Sequence, residues 1–516
     1  MPVLIGVDHG TTRTKALAFS ESLVLLGEGT VPLSQSYPRP GWVEQDPREV
    51  LTVTRQAVQA CMRQAGLAGA DIAGLGLANQ GETVIVWDRR TGAPVYPAIS
   101  WQDRRTADLC RALAATGCEE EVRRRTGLRL DSYFSAPKIR WILDHVDSGQ
   151  ARAERGELLA GTTDTWLLWN LSRGDLYATD ASTASRTLLF NIHALDWDPT
   201  LLDLFRIPRQ MLPTVSLSAG LTGYLAPEAF EVGRPVPVLG LAVDQQAALF
   251  GHGCHRAGMS KVTYGTGAFA LMHTGAAPTT SRRGLLTTVA WRRSDTAEYA
   301  IDGGVFAAGA VFEWMSQRLG LFETPEASEA IAASVVDSGG VVVVPALAGL
   351  AAPYWDLDAR AAVLGLTLAT TRGHVVRAAF EGIAMRVAEI LDAMAQDAGA
   401  RLSCVRADGG LSRNAALMQT QADVLGIPVE VAAIPPAAAV GAAGLAGLGI
   451  GWWTPGTIEA AWRAGARFEP RLSPAERHER AERWRRAVGY VRDWSARGGP
   501  DRPLGRDAPG AEIAEM

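Results

Sequence analysis

Lysine is nearly missing from this chain of 516 residues: only Lys15, Lys138 and Lys261 occur among 50 basic residues. Almost all positive charge is therefore arginine, a bias that coding preference explains as readily as physics and that by itself points to no function. A sustained basic block is missing too. With 50 basic and 55 acidic residues the net charge is −5, and no segment is built to follow a phosphodiester backbone, so a nucleic-acid partner is not expected. Cysteine is sparse. Cys61, Cys110, Cys118, Cys254 and Cys404 form no CxxC pair, and an odd count in so long a chain argues against a disulfide framework and for a reducing, cytoplasmic location. The N-terminus lacks the basic head and apolar segment of a secretory leader. Its most apolar stretch, residues 437–450, is mostly Ala and Gly and falls short of the ~20 residues a membrane crossing needs, so no membrane insertion is expected.

What is present is a chain with 47% hydrophobic and 20% charged residues, long enough for two or more globular domains with substantial cores. Residues 3–19, VLIGVDHGTTRTKALAF, carry the strongest local signal. Two short apolar runs, 3–7 and 16–19, read as paired strands around a polar turn. In that turn Asp8 offers a carboxylate to a metal, Gly10 lets backbone approach an anion, and Thr11 and Thr12 add hydroxyls beside free amides. An ordinary Gly-Thr hairpin accounts for the segment as well. An echo at 262–270, VTYGTGAFA, points to one phosphate chain held from two sides.

Strand-like and helix-like segments alternate along both halves, which implies mixed α/β layers. Asp46, Pro47 and Glu49 predict a capped helix, closed by a capping box, running to about Ala65 and ended by Gly66. Strands are expected at 72–78 and 84–87, and a short helix at 137–146. In the second half, strands are expected at 341–344 and 404–407, and helices at 374–398 and 414–425. The expected domains are 1–250 and 251–490, with a mobile tail over 491–516.

Asp244 stands where an apolar strand meets a helix start, a position that suits a plain N-cap and equally a carboxylate aimed into a cleft. In phosphoryl transfer such a carboxylate aligns an attacking hydroxyl and accepts its proton. Asp408-Gly409-Gly410, with Ser412 and Asn414 following, joins a strand to a helix and leaves room for a flat base or ribose, or forms a simple tight turn. Glu82, Trp101 and Tyr133 suit a small polyhydroxy ligand, since C–H faces stack on rings while hydroxyls donate to the acid; core packing explains them too. His252, Cys254 and His255 lie close together without a fourth ligand at metal-binding spacing, and are left out of the site.

These residues sit in an ordered series of longer matches: PGWVEQDP from Pro40, SWQDRRTA from Ser100, DSYFSAPKIRWILDHV from Asp131, GTTDTWLLW from Gly161, ASRTLLFNIHALDWD from Ala184, DQQAALFG from Asp244 and APYWD from Ala352. With them the chain resembles the FGGY carbohydrate kinases, most closely the glycerol-phosphorylating members, over about residues 3–490. The resemblance implies an actin-like, hexokinase-like (ribonuclease H-like) α/β fold of two domains closing over a cleft. It implies ATP and Mg²⁺ as cofactors, a polyol or sugar substrate and a homo-oligomer, either dimer or tetramer. By similarity Asp244 is the catalytic base, and Glu82, Trp101, Tyr133, Gln245 and Phe269 line the acceptor pocket beside it. Thr11, Thr12, Arg13, Lys15, Thr266, Gly309, Gly410 and Asn414 match nucleotide contacts, while Asp8 and Asp244 match carboxylates near the metal.

Departures bear on the acceptor. The family's glycerol-binding arginine is replaced by Gly81, so that glycerol is the implied acceptor and a tetritol, pentitol or pentose the alternative. His9, Arg13 and Lys15 replace a glutamine, a serine and an arginine, which keeps or raises positive charge near a triphosphate. Residues 226–237 carry no glycine- and lysine-rich loop of the kind that binds a sugar bisphosphate inhibitor in some relatives. A chaperone-like ATPase switching a protein partner is the rival from another class. A Rossmann dehydrogenase is disfavoured because no GxGxxG follows the first strand.

Overall fold

The computed structural model describes residues 1–434 and 436–497. Its first half is built on a six-stranded sheet of β1 (Val3–His9), β2 (Arg13–Ser20), β3 (Leu25–Pro32), β4 (Ile72–Asn79), β5 (Ala219–Leu225) and β6 (Val236–Val243), ordered β5-β6-β4-β1-β2-β3. β1, β2 and β3 form an antiparallel meander, and β4 and β6 run parallel to β1. α1 (Pro47–Ala65) covers one face. Asp46 accepts a hydrogen bond from the Arg48 amide at 2.8 Å and Gly66 closes the helix in the left-handed region at φ 63°. The expected capping box does not form, because Glu49 accepts from the Ser34 amide instead, at 3.1 Å, and so pins the chain that enters the helix. α2 (Asp244–Gly251) follows β6 directly.

A seven-stranded sheet organises the second half: β7 (Ser260–Tyr264), β8 (Ala268–Gly275), β9 (Leu286–Arg292), β10 (Ala297–Val305), β11 (Val405–Asp408), β12 (Val429–Ala432) and β13 (Ala464–Phe468), ordered β9-β10-β8-β7-β11-β12-β13. Its β10-β8-β7-β11-β12 core repeats the first sheet's β3-β2-β1-β4-β6, a meander of three followed by two parallel strands. Both glycine-threonine hairpins join the equivalent pair of strands. The repeat is one of topology, carried by few shared residues, which is why only the two hairpins betray it in sequence. The helices of this half include α3 (Gly309–Gln317), α4 (Arg372–Ala398), α5 (Ala415–Leu425), α6 (Ala437–Gly449) and α7 (Pro474–Ala496), with others at Pro325–Ala333 and Pro455–Ala461. Between β4 and β5 in chain order, the expected strand at 84–87 appears as Val84–Asp88 and the expected helix at 137–146 as Ser135–His145.

Packing does not follow the division of the chain at 250. α6 belongs to the second half by sequence, yet it lies on β1, β4 and β6 and crosses α2. Glycines make that approach possible. A Cβ on Gly6 would come 2.0 Å from the Ala439 carbonyl oxygen, and one on Gly76 would come 1.9 Å from that of Ala442. The alanine- and glycine-rich run 437–449 is therefore small because strand backbones press against it. Leu4, Leu17 and Phe19 of the first sheet and Leu271, Trp291 and Ala300 of the second share one buried cluster with it. The expected tail boundary also moves: α7 continues to Ala496 with Val491 buried, and residues 498–516 lie outside the described residues. No helix among the described residues is long and apolar enough to cross a membrane.

Because the atom facing Gly76 is backbone and cannot swing aside, Gly76→Ala should destabilise the protein by at least ~1–3 kcal/mol. Gly489, helical with open space around its Cβ position, should instead gain ~0.5–1 kcal/mol on conversion to alanine. Urea unfolding midpoints test both, and equal midpoints for the two variants would contradict the packing described here.

Candidate active site

Parallel strands put their carboxyl ends on one edge, and here that edge carries the chemistry. His9 at the end of β1 and Val243 at the end of β6 both stand in register with Asn79 at the end of β4. Asp8 and Asp244, each one residue away, therefore flank the crevice beyond the sheet. Burial raises Asp8 to about 6, with Lys15 opposing and Asp408 adding to the shift. Asp244 is likewise pushed up by burial and by the negative charges of Asp8 and Glu82, against the pull of Lys261. Two buried carboxylates, both shifted up and one of them pushed by the other, fit a divalent cation, which would hold both ionised. Among the described residues no group of three or more potential ligands could hold a metal, including His252, Cys254 and His255. A donor set this thin fits Mg²⁺, which leans on substrate phosphates and water for the rest of its shell.

The first hairpin closes with the Gly10 amide donating to the Arg13 carbonyl at 3.1 Å, leaving Thr12 and Arg13 exposed. Thr11 is partly spent: its hydroxyl accepts from the Trp101 indole at 2.9 Å and its carbonyl from the Gln45 amide at 2.8 Å. His9 departs from expectation. It is fully buried, lies 2.9 Å from the Thr14 hydroxyl through Nδ1 and 3.3 Å from the Gln80 amide through Nε2, and burial lowers it to about 4. It braces the turn as a neutral ring and adds no charge for a triphosphate.

The second hairpin, Gly265-Thr266-Gly267, is held by the start of α3, where the Gly309 amide donates to the Gly265 carbonyl at 3.0 Å. A Cβ on Gly309 would come 2.6 Å from that oxygen, so the position must be glycine. Thr266 is exposed at the tip. Nearby, Gly409 turns with φ 94° and Gly410 is exposed with nothing within 4 Å of its Cβ position. Asn414 is mainly structural: Oδ1 caps α5 by accepting from the Leu417 amide at 2.8 Å, and Nδ2 donates to Ser328 at 3.2 Å. One amide hydrogen is left for a ligand.

Trp101 ties the two hairpins together. Beyond its bond to Thr11, its ring meets Tyr133 and Phe269 edge-on, each with centroids 5.7 Å apart, and Phe269 lies on the strand leaving the second hairpin. Glu82 lies beneath, buried, at φ 59° in a tight Gly81–Thr83 turn. Left-handed backbone at a non-glycine residue is strain of the kind that sites retain, on the order of 1–3 kcal/mol. Gln245, next to Asp244, accepts a hydrogen bond from the Lys261 ammonium.

Sequence reasoning named Arg13 and Lys15 as nucleotide contacts but passed over the buried cations Lys138 and Lys261. Lys138 is buried and donates to the Phe134 carbonyl at 3.0 Å and to that of Glu82 at 3.5 Å; burial lowers it to about 8. Lys261 is buried too, donates to Thr263 at 2.9 Å, and has Asp408, Asp244 and Asp302 as its charged neighbours. Lys15 is the cation opposing the shift at Asp8. All three lysines of the chain thus belong to this cleft, and their rarity was the available signal: where arginine serves elsewhere, these positions hold a slim ammonium. Asp408, expected in a segment that leaves room for a base or ribose or forms a tight turn, accepts from Thr263 at 2.6 Å and from the α6 amide of Ala437 at 3.1 Å. Burial would raise it, but His252, Lys261 and Thr263 hold it below the usual carboxylate range.

Two family models cover the chain: the FGGY family of carbohydrate kinases, N-terminal domain, matches residues 3–251, and the C-terminal domain of the same family matches 260–450. A glycerol kinase of Nitratidesulfovibrio vulgaris (strain DSM 19637 / Miyazaki F) is 47% identical over 493 residues, 95% of this chain and 99% of that protein. A glycerol kinase of Stenotrophomonas maltophilia (strain R551-3) is 48% identical over 486 residues, 94% of this chain and 97% of that protein. Among solved structures, a Plasmodium falciparum glycerol kinase with ADP superposes with a TM-score of 0.87 at 32% identity, covering 95% of this chain and 98% of that one. A gluconate kinase from Lactobacillus acidophilus, at 19% identity and a TM-score of 0.84 over 96% of this chain and 98% of its own, shares the fold.

Removing the buried ammonium should be severe. Lys261→Met leaves Asp244, Asp302 and Asp408 without their shared cation and should cost on the order of 3–5 kcal/mol, read as a lowered urea midpoint. A midpoint equal to that of the unaltered protein would show that these carboxylates do not depend on Lys261.

Proposed function

The chain belongs to the FGGY family of carbohydrate kinases, and we propose on that premise that it transfers the γ-phosphoryl group of ATP to a terminal hydroxyl of glycerol, giving glycerol 3-phosphate and ADP. The single observation that carries this reading is Trp101: one side chain hydrogen-bonds the first hairpin and packs against Phe269 beside the second, which supports a polyol and a phosphate chain held side by side. A partner-switching ATPase has no use for such an aromatic acceptor pocket.

In this reading the acceptor lies against Trp101, Tyr133 and Phe269, with Glu82 and Gln245 taking its hydroxyls. Asp244 orients the terminal hydroxyl and takes its proton as the oxygen attacks phosphorus in line with the departing ADP. A carboxylate kept from full solvation, with its affinity for protons raised by Asp8 and Glu82, is a better base than one on the surface. Thr11, Thr12 and Thr266 offer hydroxyls and backbone amides to the phosphates, Arg13 and Lys15 add positive charge, and Gly309, Gly410 and Asn414 border the nucleoside. Mg²⁺, when bound near Asp8 and Asp244, neutralises charge on the phosphate oxygens. Closure of the two halves over both substrates limits water as a competing acceptor. The expected homo-oligomer and cytoplasmic location are part of the proposal; five free thiols support a reducing compartment.

Asp244→Asn should lower kcat by at least ~10²–10⁴-fold while ADP still binds, measured by coupled ADP release and by calorimetry. Full activity in that variant would remove Asp244 from the mechanism. Across glycerol, tetritols, pentitols and pentoses, ADP release should require an alcohol, favour glycerol, stop on chelation with EDTA and return with Mg²⁺. Rapid ADP release without any alcohol would instead support the ATPase reading.

A further inference from the structure

Arg186 lies on the floor of the cleft just beyond the short helix Ala181–Ala184, 3% exposed, and it links the two halves. Its Nε donates to Glu82 Oε1 at 2.6 Å, and its Nη1 lies 2.9 Å from Asp302 Oδ2 on β10. A guanidinium has five N–H donors, and this one leaves most of them unspent. Nη1 is close to Asp302 but off the line of a hydrogen bond, so it is buried without a hydrogen-bond partner. Among the described residues Nη2 also lacks a protein acceptor, and Glu82 Oε2 lacks a donor.

An idle donor and an idle acceptor therefore sit side by side, within the group that includes Tyr133, whose ring centroid is 5.7 Å from the guanidinium. A Cβ on Gly81 would come 2.7 Å from Val243 Cγ2 and 3.9 Å from Arg186 Cγ, so the residue preceding Glu82 must be glycine and cannot reach in. Nη1, buried without a hydrogen-bond partner, is costly to leave so, and an unspent donor beside an unspent carboxylate oxygen next to aromatic rings is what a ligand with both donor and acceptor atoms completes.

We propose that Arg186 and Glu82 together read two adjacent hydroxyls of the acceptor, the guanidinium donating to one oxygen and the free carboxylate oxygen accepting from the next. Asp302 acts as a positioning residue, steadying the guanidinium from across the cleft. The ligand class is a short polyol with vicinal hydroxyls, and the inference rests on the kinase function proposed above. Because Asp302 comes from the opposite half to Arg186 and Glu82, the guanidinium is steadied from that side only when the halves are together, so acceptor recognition and closure are linked.

Steady-state kinetics of the full chain with glycerol and with 1,3-propanediol, which lacks the middle hydroxyl, tests this. Arg186→Lys keeps the charge and loses the fork. It should raise KM for glycerol by about tenfold or more, the loss of one charged hydrogen bond. KM for ATP should stay within about twofold, and the preference for glycerol over 1,3-propanediol should shrink. Unchanged glycerol KM and preference would overturn the proposal, as would equal rises in both KM values, the mark of a merely structural role. Should that variant fail to fold, Asp302→Asn keeps the guanidinium and should raise glycerol KM alone; no change there would also overturn it. Failure of the unaltered protein to phosphorylate any polyol would instead refute the function itself, which separates the two.

Discussion

The cleft is organised by an excess of negative charge that has to be held in place. Asp8, Glu82, Asp244, Asp302 and Asp408 converge from both halves on a space largely shielded from water, where Asp408 raises the cost of ionising Asp8, Asp8 and Glu82 that of Asp244, and Asp302 that of Glu82. Lys261 and Arg186 offset that repulsion from below, Lys15 from the side. What the protein does not neutralise falls at Asp8 and Asp244, where the proposed chemistry brings a divalent cation and removes a proton. The balance is incomplete at the place where catalysis needs it incomplete.

Holding such groups in register requires two domains that meet closely and still close as units. Glycines in the strands let α6 press its backbone onto the first sheet, and Asp408 caps the start of that helix from the second. The same helix crosses α2, whose first residue is Asp244. Asp244, the proposed base, is thus mounted on an element that borders the core shared by the two halves. An interface of small residues packed backbone to backbone fixes distance tightly while presenting no long side chains to interlock, which suits a joint.

Aromatic rings do for the acceptor what glycines do for the joint. Trp101 is committed at its indole nitrogen to Thr11 and at its ring to Tyr133 and Phe269, so its orientation is determined before any ligand arrives. Gly81 and Val243 work as a complementary pair, one leaving out the side chain that the other's methyl displaces. The space beside Glu82 is thus shaped by residues distant in sequence, Val243 occupying what a side chain at position 81 would need.

Local features were legible from the chain alone because they depend on near neighbours. The hairpins around Gly10 and Thr266, the Asp46 and Gly66 ends of α1, and Asn414 at the head of α5 are governed by residues within a turn of one another. Asp244 was legible as a strand-to-helix carboxylate for the same reason. Glu49 reaching Ser34 instead of its own cap, His9 losing its charge, and α6 seated on the sheet of the other half were decided by tertiary structure. So was the meeting of Glu82, Arg186 and Asp302, since burial and charge are properties of what surrounds a residue, and those surroundings come from segments more than a hundred residues apart.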